Sequence, residues 1–192
     1  MNATVMEKPA KVAKNGVDVP TLLATLGVVK EMPAAAKFQF RAKGQWVSGT
    51  HSRAAINGYF GAGEEHGREA DFVVEGDHPA VLCGADKAPT PVEYLLSALA
   101  ACITAGIGNI ASVRQIDLES VETTVEGDID LQGILGLNEE VRNGYEGIRA
   151  TVRIKGDAAA EDLEKVVRQS VARSAFFDML TNGTKVDVAV AT

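Results

Sequence analysis

Apolar and polar positions repeat with two different periods along this chain. From Phe38 and Phe40, which share one side, an alternating stretch continues through Trp46 before Ser48-Gly49 offers a turn. Thr50 to Tyr59 can then return beside it as the second strand of a hairpin. Gly61 to Gly67 reads as another turn, and Glu69 to Glu75 as a third strand with Phe72 and Val74 on one side. Leu118 to Gly133 and Ile148 to Lys155 alternate again, so they are expected to pair across a long loop from Gly133 to Gly147, a candidate lid or dimer arm. After a compact turn at Thr181-Asn182-Gly183-Thr184, the alternation of Val186, Val188 and Val190 predicts a terminal strand over Lys185 to Ala191.

Helical spacing takes over in three places. Asp18 and Pro20 open a short helix that ends near Met32-Pro33. Pro89 and Pro91 stop whatever precedes them, Pro91 suits a first helical turn, and Glu93 favours the positive end of a helix running from about Val92 to Val113. Asp157 and the alanines after it open a third helix, with Leu163, Val166, Val167, Ser170 and Val171 on one face and an end near Arg173. Strands, helix, strands, helix and strand in that order predict an α+β domain, with helices packed against antiparallel sheet.

Composition narrows the partners. The 192 residues are 46% hydrophobic and 23% charged, enough for one domain with a good core. Net charge −7 and no basic stripe argue against nucleic acid or an anionic membrane as partner. Two cysteines cannot form a disulfide framework, so a reduced, cytoplasmic setting is expected. Met1 to Val19 has no apolar signal core, and no longer stretch is expected to span a bilayer. His51, His66 and His78 are scattered and no Cys or His pair has ligand spacing, so neither metal nor cofactor is expected.

The candidate chemistry centres on Cys102, at the end of Tyr94-Leu95-Leu96-Ser97-Ala98-Leu99-Ala100-Ala101-Cys102. Ala98, Cys102 and Gly106 recur every four residues, a small-residue face that lets a second helix approach closely. A thiol buried there is inert unless a cation stabilises its thiolate; a thiol so stabilised is a nucleophile. Arginine suits that task, because its planar fork bonds a carboxylate and keeps donors for sulfur or a peroxide oxygen. Tyr94, Phe176, Phe177 and Met179 could line an apolar pocket beside the thiol or pack the core.

The Pro-x-Glu start leading to Ala-Ala-Cys resembles the osmotically induced protein C and organic hydroperoxide resistance superfamily (OsmC/Ohr), in its OsmC-like branch. Phe38 to Trp46, Asp77-His78-Pro79, and Arg173-Ser174-Ala175-Phe176-Phe177-Asp178-Met179-Leu180-Thr181-Asn182-Gly183 are similar to that superfamily too, over roughly residues 36–190. The resemblance implies an OsmC/Ohr-like α+β fold: antiparallel sheet on two long helices, an intertwined homodimer, with residues 1–35 as an N-terminal extension carrying a short helix and 36–192 as the OsmC-like domain. It also implies that the helix cysteine, here Cys102, attacks the outer oxygen of an organic hydroperoxide and becomes a sulfenic acid.

Residue by residue the match is uneven. Active members carry an arginine at the first hairpin; Arg53 is nearest in order, with Arg41 and Arg173 as rivals. Their acid stands where Val92 does, one place before Glu93. Glu93 precedes Cys102 by nine positions, ~13 Å along a helix and on the opposite face, so it would act from a partner chain or through an arginine, or else serve only as a helix-terminal charge. Where active members place a second cysteine, this chain has Ser174, which cannot resolve a sulfenic acid. Cys83 is the internal alternative, or a small apolar filler.

The expectation is a cytoplasmic thiol-dependent peroxidase for organic hydroperoxides. Cys102 is its nucleophile, Arg53 and Glu93 assist, and an external thiol or dithiol is the reductant. The alternative is a non-catalytic protein of the same fold that binds a small apolar or lipid-like molecule at the dimer interface.

Overall fold

The computed structural model describes residues 11–191. The first ten positions of the expected N-terminal extension, and Thr192, lie outside the described residues. The chain divides into two compact units, Thr21–Leu95 and a second one comprising residues 11–20 and 96–191.

In the first unit, α1 (Val19–Glu31), whose first two residues belong to the other unit, is followed by a three-stranded antiparallel sheet with its strands side by side in chain order. Its strands are β1 (Lys43–Ser48), β2 (His51–Ile56) and β5 (Phe72–Gly76). The expected hairpin is present but starts later: Phe38 and Phe40 precede it, flanking the single bridge between Gln39 and Phe60. The Gly61 to Gly67 region is not simply a turn. It contains half of a second small hairpin, β3 (Tyr59–Gly61) with β4 (Glu64–His66), closed by Ala62 and Gly63, both at positive φ. His66 anchors it by stacking on Tyr59, 4.8 Å between centroids, and by a 3.0 Å hydrogen bond to the Gly61 carbonyl.

The second unit is built on α2 (Pro91–Arg114), whose first turn lies before the unit boundary. Leu99, Ile103, Ile107 and Ala111, one residue per turn, are buried with Val166. Burial of each large aliphatic chain contributes roughly 1.5–3 kcal/mol. By length and composition alone α2 could cross a membrane, contrary to the expectation that no stretch could. Its buried stripe nonetheless packs on β6 (Leu118–Asp128) and β7 (Gly147–Gly156). These two strands form one long antiparallel ladder, with Val121, Val125, Val152 and Ile154 turned to the core.

The expected strand to Gly133 stops at Asp128. Asp130 then caps the single turn α3 (Leu131–Ile134) by accepting from Gln132 N. Helix α4 (Ala160–Ala172) starts three residues after Asp157, because the Asp157 carboxylate is taken by Asp117 N at 2.6 Å; Glu161 and Asp162 supply the first-turn negative charge instead. Leu163, Val166 and Ser170 are its buried face.

Two C-terminal expectations are corrected. The turn expected over Thr181–Thr184 is displaced: Thr181 and Asn182 are the last residues of an eight-residue helix, α5 (Ala175–Asn182), which ends at Gly183. Lys185 to Ala191 is not a strand: Val186, Val188 and Val190 are exposed and the segment pairs with nothing among the described residues. The N-terminal segment is well tied: Asn15 bonds Ser112, Ile116 and Leu118, and Val19 is fully buried.

Candidate functional site

The long helix is secured at its N-terminus by its own sequence. In Thr90-Pro91-Val92-Glu93, Glu93 Oε2 accepts from Thr90 N at 2.8 Å, the return half of a capping box, while Pro91 needs no partner for the N–H it lacks. This is the local role the structure gives Glu93.

Three turns on, Cys102 and Gly106 face the end of α4. A Cβ at position 106 would overlap Ser170 Oγ, so only glycine lets the helices meet this closely. Ser170 is buried and donates to the Ile103 carbonyl at 2.7 Å. One turn after Ser170 comes Ser174, 5% exposed, whose hydroxyl donates to Cys102 Sγ at 3.1 Å. The small-residue face thus receives α4 as expected, and it delivers a hydroxyl to the sulfur. Cys102 itself is half-buried.

In the other unit, Arg53 lies opposite Glu75 in the β2–β5 ladder. Its Nε and Nη2 bond Glu75 Oε1 at 2.8 and 2.6 Å, a fork on one oxygen. The other carboxylate oxygen accepts from His51 Nε2 at 2.6 Å. These contacts, His51 first and Arg53 second, hold the Glu75 carboxyl below its usual range. Tyr94 Oη reaches back to the Glu75 carbonyl at 2.6 Å. Sequence reasoning named Arg53 and missed Glu75, because only strand register makes them neighbours.

The adjoining Asp77 is buried and organises the loop that leads to α2. It accepts from Thr50 Oγ1 at 2.7 Å, His78 N at 2.8 Å, and Ala85 and Lys87 N at 3.2 Å each. Foremost Thr50, then the backbone donors, pull its pKa from the ordinary 3.8 to about 2.

The remaining candidates fall elsewhere. Arg41 is committed to Glu65 in a two-pronged pair, both bonds 2.7 Å. Arg173 is exposed beside Ser174 and holds no side-chain partner among the described residues. Cys83 is no buried filler: it is exposed, at φ 63°, where it ends a short 3₁₀ turn. Phe176 packs on the core, whereas Phe177 and Met179 are exposed. No three His, Cys, Asp or Glu side chains gather as metal ligands among the described residues.

A family model described as OsmC-like protein matches residues 84–189, a span containing both Cys102 and Ser174. No curated protein matches the chain. Among solved structures the chain is similar to an OsmC like protein from Mycoplasma pneumoniae, 17% identical with TM-score 0.58, covering 80% of this chain and 96% of that one. An organic hydroperoxide resistance protein OsmC from Legionella pneumophila is 18% identical with TM-score 0.54, covering 76% and 90%. An OsmC-like protein of unknown function from Vibrio cholerae is 13% identical with TM-score 0.51, covering 74% and 94%. At these identities the likeness is one of fold.

Proposed function

This chain belongs to the OsmC-like protein family, and from that premise we propose that it is a cytoplasmic, homodimeric thiol-dependent peroxidase that reduces organic hydroperoxides, with Cys102 as nucleophile. The observation that carries the reading is the half-buried Cys102 sulfur on a capped, glycine-packed helix, accepting a hydroxyl hydrogen bond inside the span that the family model matches. The hydroperoxide class is supported by the fold shared with the Legionella pneumophila protein, whose description names organic hydroperoxide resistance.

The cycle balances with one cysteine. The Cys102 thiolate attacks the outer peroxide oxygen, the O–O bond breaks, and the departing alkoxide takes a proton from water to leave as an alcohol. Sulfur has lost two electrons and is a sulfenic acid. An external thiol attacks that sulfur, water leaves, and a second thiol displaces the resulting mixed disulfide to restore Cys102. Arg53 is the proposed guanidinium at the reacting oxygens and Glu75 the carboxylate that orients it. Glu93 contributes through the helix it caps. Residues 36–192 form the domain that carries this chemistry.

The test is consumption of cumene hydroperoxide in the presence of dithiothreitol. Turnover by the wild type and none by Cys102→Ser is the expected result; equal consumption by both defeats the enzyme. The second reading, a binder of small apolar molecules, is favoured by Ser174 standing where a resolving cysteine would be. It requires a bound molecule in the mass spectrum of protein purified without reductant.

A further inference from the structure

We propose that Ser174 is a positioning residue for the sulfur, committing its hydroxyl proton to Cys102 Sγ so that negative charge there is stabilised without any second thiol. The inference rests on the reading of Cys102 as nucleophile, but its logic is local. A serine hydroxyl has one proton to give and two lone pairs. Phe177 N donates into Ser174 Oγ at 3.1 Å, because Ser174 caps α5, and this fixes the oxygen as an acceptor on that side. The proton is left to point at the acceptor on the other side, and that acceptor is Cys102 Sγ.

Three features keep the rotor in this state. Ser174 is nearly inaccessible to water that could compete for its proton. Its own backbone N–H is bonded to Val171 O at 3.1 Å, so the residue cannot drift from the end of α4. Accepting from Phe177 N–H polarises the hydroxyl and makes it a better donor. Four residues earlier Ser170 repeats the arrangement against Ile103 O, so the pair Ser170/Ser174 grips the pair Gly106/Cys102 at matching one-turn intervals. A thiol at position 174 would be a resolving group; the hydroxyl instead supports charge on sulfur and leaves reduction of the oxidised sulfur to a thiol from outside.

The test reads the chemistry of the sulfur rather than peroxide turnover. Iodoacetamide labelling of Cys102 is followed from pH 5 to 10 by peptide mass spectrometry, which separates it from Cys83. Ser174→Ala is expected to raise the pH midpoint of labelling. It should slow the neutral-pH rate about three- to tenfold, less than the lost thiolate alone because the remaining thiolate is more nucleophilic. Ser174→Thr keeps hydroxyl and cap, and is expected to label within about twofold of wild type. Ser174→Asp keeps an α5 cap without a proton to give, and is expected to raise the midpoint at least as far as alanine. A midpoint unmoved in Ser174→Ala overturns the proposal, even if its rate changes through altered access or the Asp midpoint rises, because a carboxylate beside the sulfur raises that midpoint by charge alone. Failure of the peroxidase reading is distinguishable: wild-type Cys102 would then resist cumene hydroperoxide while the labelling profiles still diverged.

Discussion

Asp77 and Glu75 set how this protein should respond to acid. Both carboxyls are held below their ordinary range, Asp77 to about 2 with Thr50 as the main cause, Glu75 by His51 and then Arg53. A depressed folded-state pKa contributes stability that is complete above the unfolded value and is lost as pH falls toward the folded one. The urea midpoint is therefore expected to drop from about pH 4.5 towards pH 2, and to drop less in Asp77→Asn, which has no such proton to take up. An equal drop in both would show that Asp77 is not a source of acid sensitivity. Glu75→Gln should loosen Arg53. Its melting temperature should fall modestly, because the half-buried carboxylate no longer carries the charge that His51 and Arg53 stabilise, while kcat/KM for an organic hydroperoxide falls on the order of tenfold. Ser174→Cys gives a third residue-level expectation: one equivalent of peroxide should leave an intrachain disulfide to Cys102, formed as the introduced thiol displaces water from the sulfenic acid.

At the scale of elements, two glycines in helices should behave oppositely. Gly106→Ala drives a methyl group into Ser170 and is expected to cost about 1–3 kcal/mol in denaturant unfolding, whereas Gly27→Ala in α1 meets open space and should gain up to about 1 kcal/mol. Equal effects would mean that the α2–α4 approach is not tight. Proline-marked starts made α1 and α2 legible, and periodicity made α4 and the β6–β7 ladder legible, because those elements are long enough for an apolar stripe to repeat. Helix α5 escaped notice for the opposite reason: eight residues hold barely two turns, and the signal that marks it is the Ser174 cap followed by Asp178 in the first turn. The β3–β4 hairpin hid behind its turn glycines. Alternation of Val186, Val188 and Val190 is real, but a strand also needs a partner, and pattern alone cannot supply one. At the site, Cys102 was readable from its helix; Glu75 was not, since its meeting with Arg53 depends on register between strands 22 residues apart.

On the scale of the whole molecule, a single chain leaves large apolar groups in water. Trp46 is 76% exposed, Phe40 70%, and Val188 and Val190 86% each. Apolar side chains left this exposed on each unit are groups that a second molecule can cover. The proposed homodimer places a second copy there, so sedimentation should give twice the chain mass, and a monomer at micromolar concentration would contradict it. Charge fits an apolar, uncharged substrate better than a polyanion, with net −7 over the chain. The family and its α+β architecture are shown, and what the molecule does with Cys102 decides the rest. The most direct measurement adds one equivalent of cumene hydroperoxide to the reduced protein, traps sulfenic acid with dimedone, and maps the adduct by mass spectrometry. Adduct at Cys102, in step with alcohol released, is the expected result; hydroperoxide left intact, or adduct at Cys83 alone, would contradict the account.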